Sequence, residues 1–217
     1  ALDEYLDTAI WQNLMQEHQE DFLIHDFLMP EPNSTPTYRG FAYPHIYNTY
    51  FSMYKIAEQY PDLIAYKEDA DTYLLRCYHI MDALYNEGSV GYNWNTGLMG
   101  ESTTPSIIQS LKERGYEEEA ENLESVMEEK FNNFANDKYP YISEYPYDNT
   151  SEEAVYTMAK MFGNEEVMAK VNEKTRACRG VQPIWYHYGN PTTICGENWF
   201  NFQYTASLAG YCMDDWL

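Results

Sequence analysis

The segment Ser143-Glu144-Tyr145-Pro146-Tyr147-Asp148 sets two carboxylates in an aromatic stretch that runs into a helix. Hydrolysis of a glycosidic bond needs such a pair. One protonated carboxyl drives off the leaving oxygen and one ionised carboxylate activates water, about 6.5–9.5 Å apart when configuration inverts. Pro146 disfavours helical backbone at Tyr145. An extended chain advances ~3.3 Å per residue, so Glu144 and Asp148 lie at most about 13 Å apart, and a modest bend brings them into the inverting range. Tyr141, Tyr145 and Tyr147 would desolvate Glu144 and raise its pKa, which suits a general acid and leaves Asp148 as the base. A second loop, Gly97-Leu98-Met99-Gly100-Glu101, delivers a further carboxylate at a helix start, and Glu101 is the substitute for either member. Asp148 and Glu101 both stand where helix-capping residues stand, so a purely structural use is the competing expectation for each.

Sugar rings stack on aromatic faces, and Trp94, Tyr147, Trp185 and Trp199 are the residues expected to line subsites, with His187 placed to bind a hydroxyl. A second constellation comprises Arg39, His45, Tyr47 and Asn48. Those residue types suit a polysaccharide lyase, in which Tyr or His abstracts a proton beside a uronate carboxyl that Asn or Arg neutralises. The third reading is a non-catalytic glycan-binding or helical scaffold domain, whose carboxylates lie apart and solvated.

Composition narrows the choice. The formal net charge is -22, from 35 acidic against 13 basic residues. That field repels phosphate backbones and anionic lipid, so neither nucleic acid nor a membrane surface is an expected partner, and a neutral glycan fits better than a polyanionic one. The 22 tyrosines exceed what a core alone requires and suit stacking surfaces, although they also fill gaps between helices. Of the four cysteines, Cys77 and Cys212 fall on apolar stripes, whereas Cys178 and Cys195 flank a loop and could pair in an oxidising compartment. No CxxC pair, phosphate-binding glycine loop, nucleophile elbow or HExxH motif is present, and the oxygen-rich run from Asp148 to Glu152 lacks EF-hand spacing. No metal or cofactor is expected. No apolar run approaches the ~20 residues that span a bilayer. The chain begins at Ala1, so loss of an N-terminal part is expected.

Eight helices must position these groups, and their apolar spacing is helical nearly throughout. Leu2, Leu6, Ile10 and Leu14 mark the first, over 2–19. Ile46, Tyr50, Met53 and Ala57 mark the second, and Leu74, Cys77, Met81 and Leu84 the third. Thr104 as N-cap with Pro105 opens the fourth, which Gly115 ends. Ala120, Leu123, Met127, Phe131 and Phe134 carry the fifth. Thr150 and Glu153 read as a capping box for the sixth, which Gly163 follows. A seventh spans 165–177, and an eighth runs from about Phe202 to the end. Short turns alternate with long aromatic loops at 28–44, 87–103, 137–150 and 179–199. That alternation predicts one all-α domain over 1–217, an (α/α)-toroid of helical hairpins whose long loops gather at one mouth.

The motifs Ala42-Tyr43-Pro44-His45-Ile46-Tyr47-Asn48, Gly97-Leu98-Met99-Gly100-Glu101, Ser143-Glu144-Tyr145-Pro146-Tyr147-Asp148 and Tyr188-Gly189-Asn190 occur in order over residues 38–217. In them the chain resembles a family of secreted, mostly microbial domains of unknown function related to the six-hairpin glycosidases. The resemblance implies the toroid, a secreted location and a role in glycan breakdown. A complete six-hairpin ring needs about twelve helices. Eight therefore suggest an incomplete barrel, read here as a fragment with the remaining helices upstream of Ala1.

Overall fold

The computed structural model describes residues 1–24, 39–86, 90–136, 151–178 and 210–217, and in these it is all-helical, with an isolated bridge between Arg39 and Gly91. α1 begins at Leu2–Tyr5 and continues as a π-helix over Leu6–Leu14. α2 is Tyr43–Gln59, α3 Ala70–Asn86, α4 Thr104–Glu113, α5 Glu117–Asn136, α6 Ser151–Met161 and α7 Glu165–Cys178. The described part of α8 covers 210–216.

Local chemistry explains most boundaries. Asp69 Oδ1 accepts the Thr72 N–H at 2.7 Å and opens α3, and Asn164 Oδ1 accepts the Val167 N–H at 3.0 Å and opens α7. α4 and α6 both end in Schellman turns. At α4 the Tyr116 N–H reaches Leu111 O at 2.9 Å around Gly115, whose φ is +83°. At α6 the Asn164 N–H reaches Ala159 O at 2.8 Å around Gly163, whose φ is +67°.

Three boundaries differ from expectation. The first helix stops at Leu14 rather than near residue 19, because the Gln19 amide donates to Trp11 O at 2.8 Å and folds the following chain back. α2 starts at Tyr43, ahead of Ile46, since Pro44 fits the first helical turn. Thr104 is not the N-cap of α4 but its first residue. A 3-10 turn over Glu101–Thr103 leads into it, and the Thr103 hydroxyl donates instead to Asn48 Oδ1 at 2.5 Å.

The described residues cluster into two compact units, Ala1–Asn93 with Thr103–Val126, and Trp94–Ser102 with the described part of Met127–Leu217. In the first unit α2 and α3 form the main hairpin, with α4 against α3 and the π-helical part of α1 against α2. Its core is rich in tyrosine. Tyr43, Tyr47, Tyr50 and Tyr54 recur at helical spacing down one face of α2, and none is more than 1% exposed. Much of the tyrosine excess therefore serves packing, and Tyr43 Oη accepts the Ile24 N–H at 3.1 Å. Tyr73 donates to Asp3, whose other oxygen accepts the Lys67 N–H at 3.0 Å, so α1 is fastened to the α2–α3 turn region.

The second unit is built on the α6–α7 hairpin. Every residue of α6 from Ser151 to Ala159 is buried, so it is an interior helix rather than an amphipathic surface one. Cys77 in the first unit and Cys212 in the second carry fully buried thiols whose pKa values burial pushes up. Among the described residues, no helix is long and apolar enough to cross a membrane.

Candidate functional site

Interior polar chemistry in the second unit converges on the N-terminus of α6. A helix buried on all sides must find partners for every polar group it carries. Ser151, Glu152 and Glu153 open α6 and are at most 5% exposed. The Glu153 carboxylate accepts the Gly100 N–H at 3.1 Å and the Ser102 hydroxyl, which fastens the 97–102 loop to the helix. Gly97 meets the same helix end. A Cβ at that position would lie 2.7 Å from Ser151 Cα and 2.8 Å from its carbonyl oxygen, so only glycine permits the approach. Gly100 turns the loop with φ +97°.

Glu101 lies within this contact. Its Oε2 accepts the Leu98 N–H at 2.7 Å, closing the loop on itself, and its Oε1 pairs with Lys130 Nζ. Neither side chain of the pair has any solvent exposure. Burial pushes the Lys130 pKa down and the Glu101 charge opposes that. Burial also raises the Glu153 pKa, with the nearby Glu101 adding to the shift, while Ser102 and Gly100 oppose it by hydrogen bonding. Glu152 points into the hairpin, where its oxygens pair with Lys174 Nζ at 2.6 Å and accept the Thr175 hydroxyl at 2.8 Å. α8 is tied to the same helix, because Asp215 accepts the Tyr156 hydroxyl at 2.8 Å and pairs with Lys160 at 2.5 Å.

The surroundings of Glu101 are those of a buried structural ion pair, not of a carboxylate open to a sugar. Glu144, Asp148, Tyr147, Trp185, His187 and Trp199 lie outside the described residues, as do Cys195 and the Thr150 half of the capping box. Trp94 is half-buried at the head of the 94–102 segment.

The lyase-type residues all belong to the first unit. Tyr47 is fully buried on the α2 stripe, and Asn48 Oδ1 accepts from Thr103. His45 is exposed at the start of α2, and partial burial of its ring lowers its pKa. Arg39 is half-buried, with its guanidinium 5.6 Å from the Phe41 ring centroid. Tyr47 thus lies in the core, and Asn48 is bonded to a residue 55 positions on.

Sequence reasoning did not single out Lys130 or Lys174, and it used Glu152 and Glu153 as acids at the start of a helix. One of these carries a legible signal. Lys130 occupies the i+3 slot of the stripe Met127, Phe131 and Phe134, where a cation on a core face demands a buried anion.

A model of a family of unknown function, DUF5695, matches residues 30–208. The chain belongs to that family. Residues 97–102 and 151–153, which make the clamp just described, fall inside the matched region, as do all the site residues expected from the sequence. No curated protein and no solved structure matches the chain.

Proposed function

We propose that this DUF5695 domain is a secreted glycoside hydrolase of six-hairpin descent, inverting configuration on a neutral or weakly charged glycan. Glu144 serves as general acid and Asp148 as general base. The observation that carries this reading is the clamp between Gly97–Ser102 and Ser151–Glu153. The Glu144–Asp148 segment enters α6 directly, with Asp148 three positions before Ser151. The helix start that it leads into, Ser151–Glu153, is buried and tied to the 97–102 loop, the kind of support a pair of reacting carboxylates requires. The pairing of Glu101 with Lys130 favours the two carboxylates of the 143–148 segment as acid and base. The -22 charge favours a substrate without its own negative charge.

The test uses a panel of neutral polysaccharides, with reducing-end release measured for the wild-type chain, Glu144→Gln and Asp148→Asn. The first-formed anomer is read by proton nuclear magnetic resonance. Hydrolysis with inversion, lowered about a hundredfold or more in each variant, is the expected result. Undiminished hydrolysis by Glu144→Gln would overturn the assignment. An unsaturated product absorbing in the ultraviolet would replace hydrolysis with elimination.

A further inference from the structure

Tyr92 has φ +61°, a left-handed backbone conformation that is costly for a bulky aromatic residue. The chain is pinned on both sides of it. Gly40 N–H donates to Gly91 O at 3.0 Å, and Arg39 bridges Gly91 in parallel. The approach is so close that a Cβ at Gly40 would lie 2.8 Å from Gly91 O and 3.3 Å from Tyr92 O. On the other side, the Asn93 amide donates to Leu84 O at 2.8 Å. Held this way, the Tyr92 ring packs 5.4 Å from the Phe41 ring at 42°, and the residue remains 39% exposed. The Arg39 guanidinium lies over the Phe41 ring at the same place.

A glycine or asparagine at position 92 would satisfy this backbone with far less strain. Tyrosine keeps the strain and is still 39% exposed, so an aromatic ring is held at the surface in a fixed backbone conformation. Strain of that kind gathers at ligand-holding positions. The face is apolar, its hydroxyl is polar, and a guanidinium with several donors stands beside it, which is the chemistry that receives a pyranose ring: C–H groups on the ring face, hydroxyls to the cation.

We propose that Tyr92 and Phe41, with Arg39 at their edge, form a stacking subsite for a neutral pyranoside. The subsite names a place where the substrate class of the hydrolase reading is held, and so it rests on that reading. Tyr92 is the binding platform. Phe41 is a positioning residue that fixes the ring's tilt.

The experiment titrates the full chain with cellohexaose, xylohexaose, mannohexaose and maltohexaose by calorimetry, for wild type, Tyr92→Gly and Tyr92→Phe, and records a thermal melt of each protein. The expected result has three parts. The wild type binds at least one of the four. Tyr92→Gly weakens that binding about tenfold or more while melting at or above the wild-type temperature, because it relieves the strain. Tyr92→Phe, which keeps the ring, stays within about threefold. Unchanged binding by Tyr92→Gly overturns the subsite alone and leaves the glycan reading standing. A lower melting temperature for Tyr92→Gly overturns it as well, since the ring would then be a packing element. Absence of binding by the wild type to all four sugars removes both the subsite and the neutral-glycan reading beneath it.

Discussion

The Glu101 carboxylate and the Lys130 ammonium face each other 2.5 Å apart with no solvent on either side chain, and Glu101's second oxygen holds the Leu98 N–H. One residue thus closes the 97–101 loop and fastens it to α5. A charge pair in this position contributes little over an apolar pair of similar shape, yet losing one partner strands the other in the interior.

Lys130→Met is therefore expected to destabilise the chain by about 3–5 kcal/mol, and Glu101→Gln by a comparable amount. The double variant Glu101→Gln/Lys130→Met should cost clearly less than the two single changes added together. A denaturant double-mutant cycle measures this. Wild-type stability in Glu101→Gln, accompanied by a collapse in glycan hydrolysis, would return Glu101 to the catalytic pair.

Gly97→Ala introduces a methyl carbon 2.7 Å from Ser151 Cα, and the obstruction is backbone rather than a flexible side chain. Overpacking of this kind costs about 1–3 kcal/mol. Trimming the neighbour in Gly97→Ala/Ser151→Gly should recover little of that cost, because Ser151 Cα and O remain in place. Substantial recovery in urea unfolding would show that the side chain, not the backbone, sets the contact.

Gly115 is a simpler case, because a Cβ there meets nothing within 4 Å while φ is +83°. Gly115→Ala should then cost about 1 kcal/mol from backbone strain alone, and Gly115→Asn less than that. Equal stability of all three proteins in thermal unfolding would mean that the Schellman turn opens at no cost.

The helices were legible because their stop and start signals are local. Gly115 and Gly163 end helices where a left-handed residue is needed, and Pro105 sits in a first turn. Leu74, Cys77, Met81 and Leu84 mark the buried face of α3. The polar interior was far less legible, because its partners are distant in sequence. Glu152 and Glu153 look like ordinary acids favouring a helix N-terminus, and nothing nearby reveals that Lys174, 22 positions on, and Gly100, 53 positions back, hold them. Thr104 was misassigned as a cap for a related reason. The 3-10 turn at Glu101–Thr103 depends on Glu101 closing its own loop, which composition does not encode. Tyr47, a residue type suited to catalysis, lies on the α2 core stripe with Tyr43, Tyr50 and Tyr54, where residue type alone does not reveal burial.

Glu153 gives the chain a pH dependence with a definite sign. Burial raises its folded-state pKa above the ordinary 4.5, and the nearby Glu101 pushes the same way. A raised carboxyl favours folding while it is protonated, so its contribution is fully present below about pH 4.5 and is lost as pH rises through the folded value. Glu153→Gln carries an amide that never ionises, and its stability lacks that component. The melting temperature of wild type minus that of Glu153→Gln should therefore fall as pH is raised from about 4 toward neutrality. Both proteins are compared at each pH, so the titration of every other acid cancels to first order. A difference that stays flat across the range, or that grows with pH, would mean that the Ser102 hydroxyl and the Gly100 N–H stabilise the carboxylate enough to outweigh its burial.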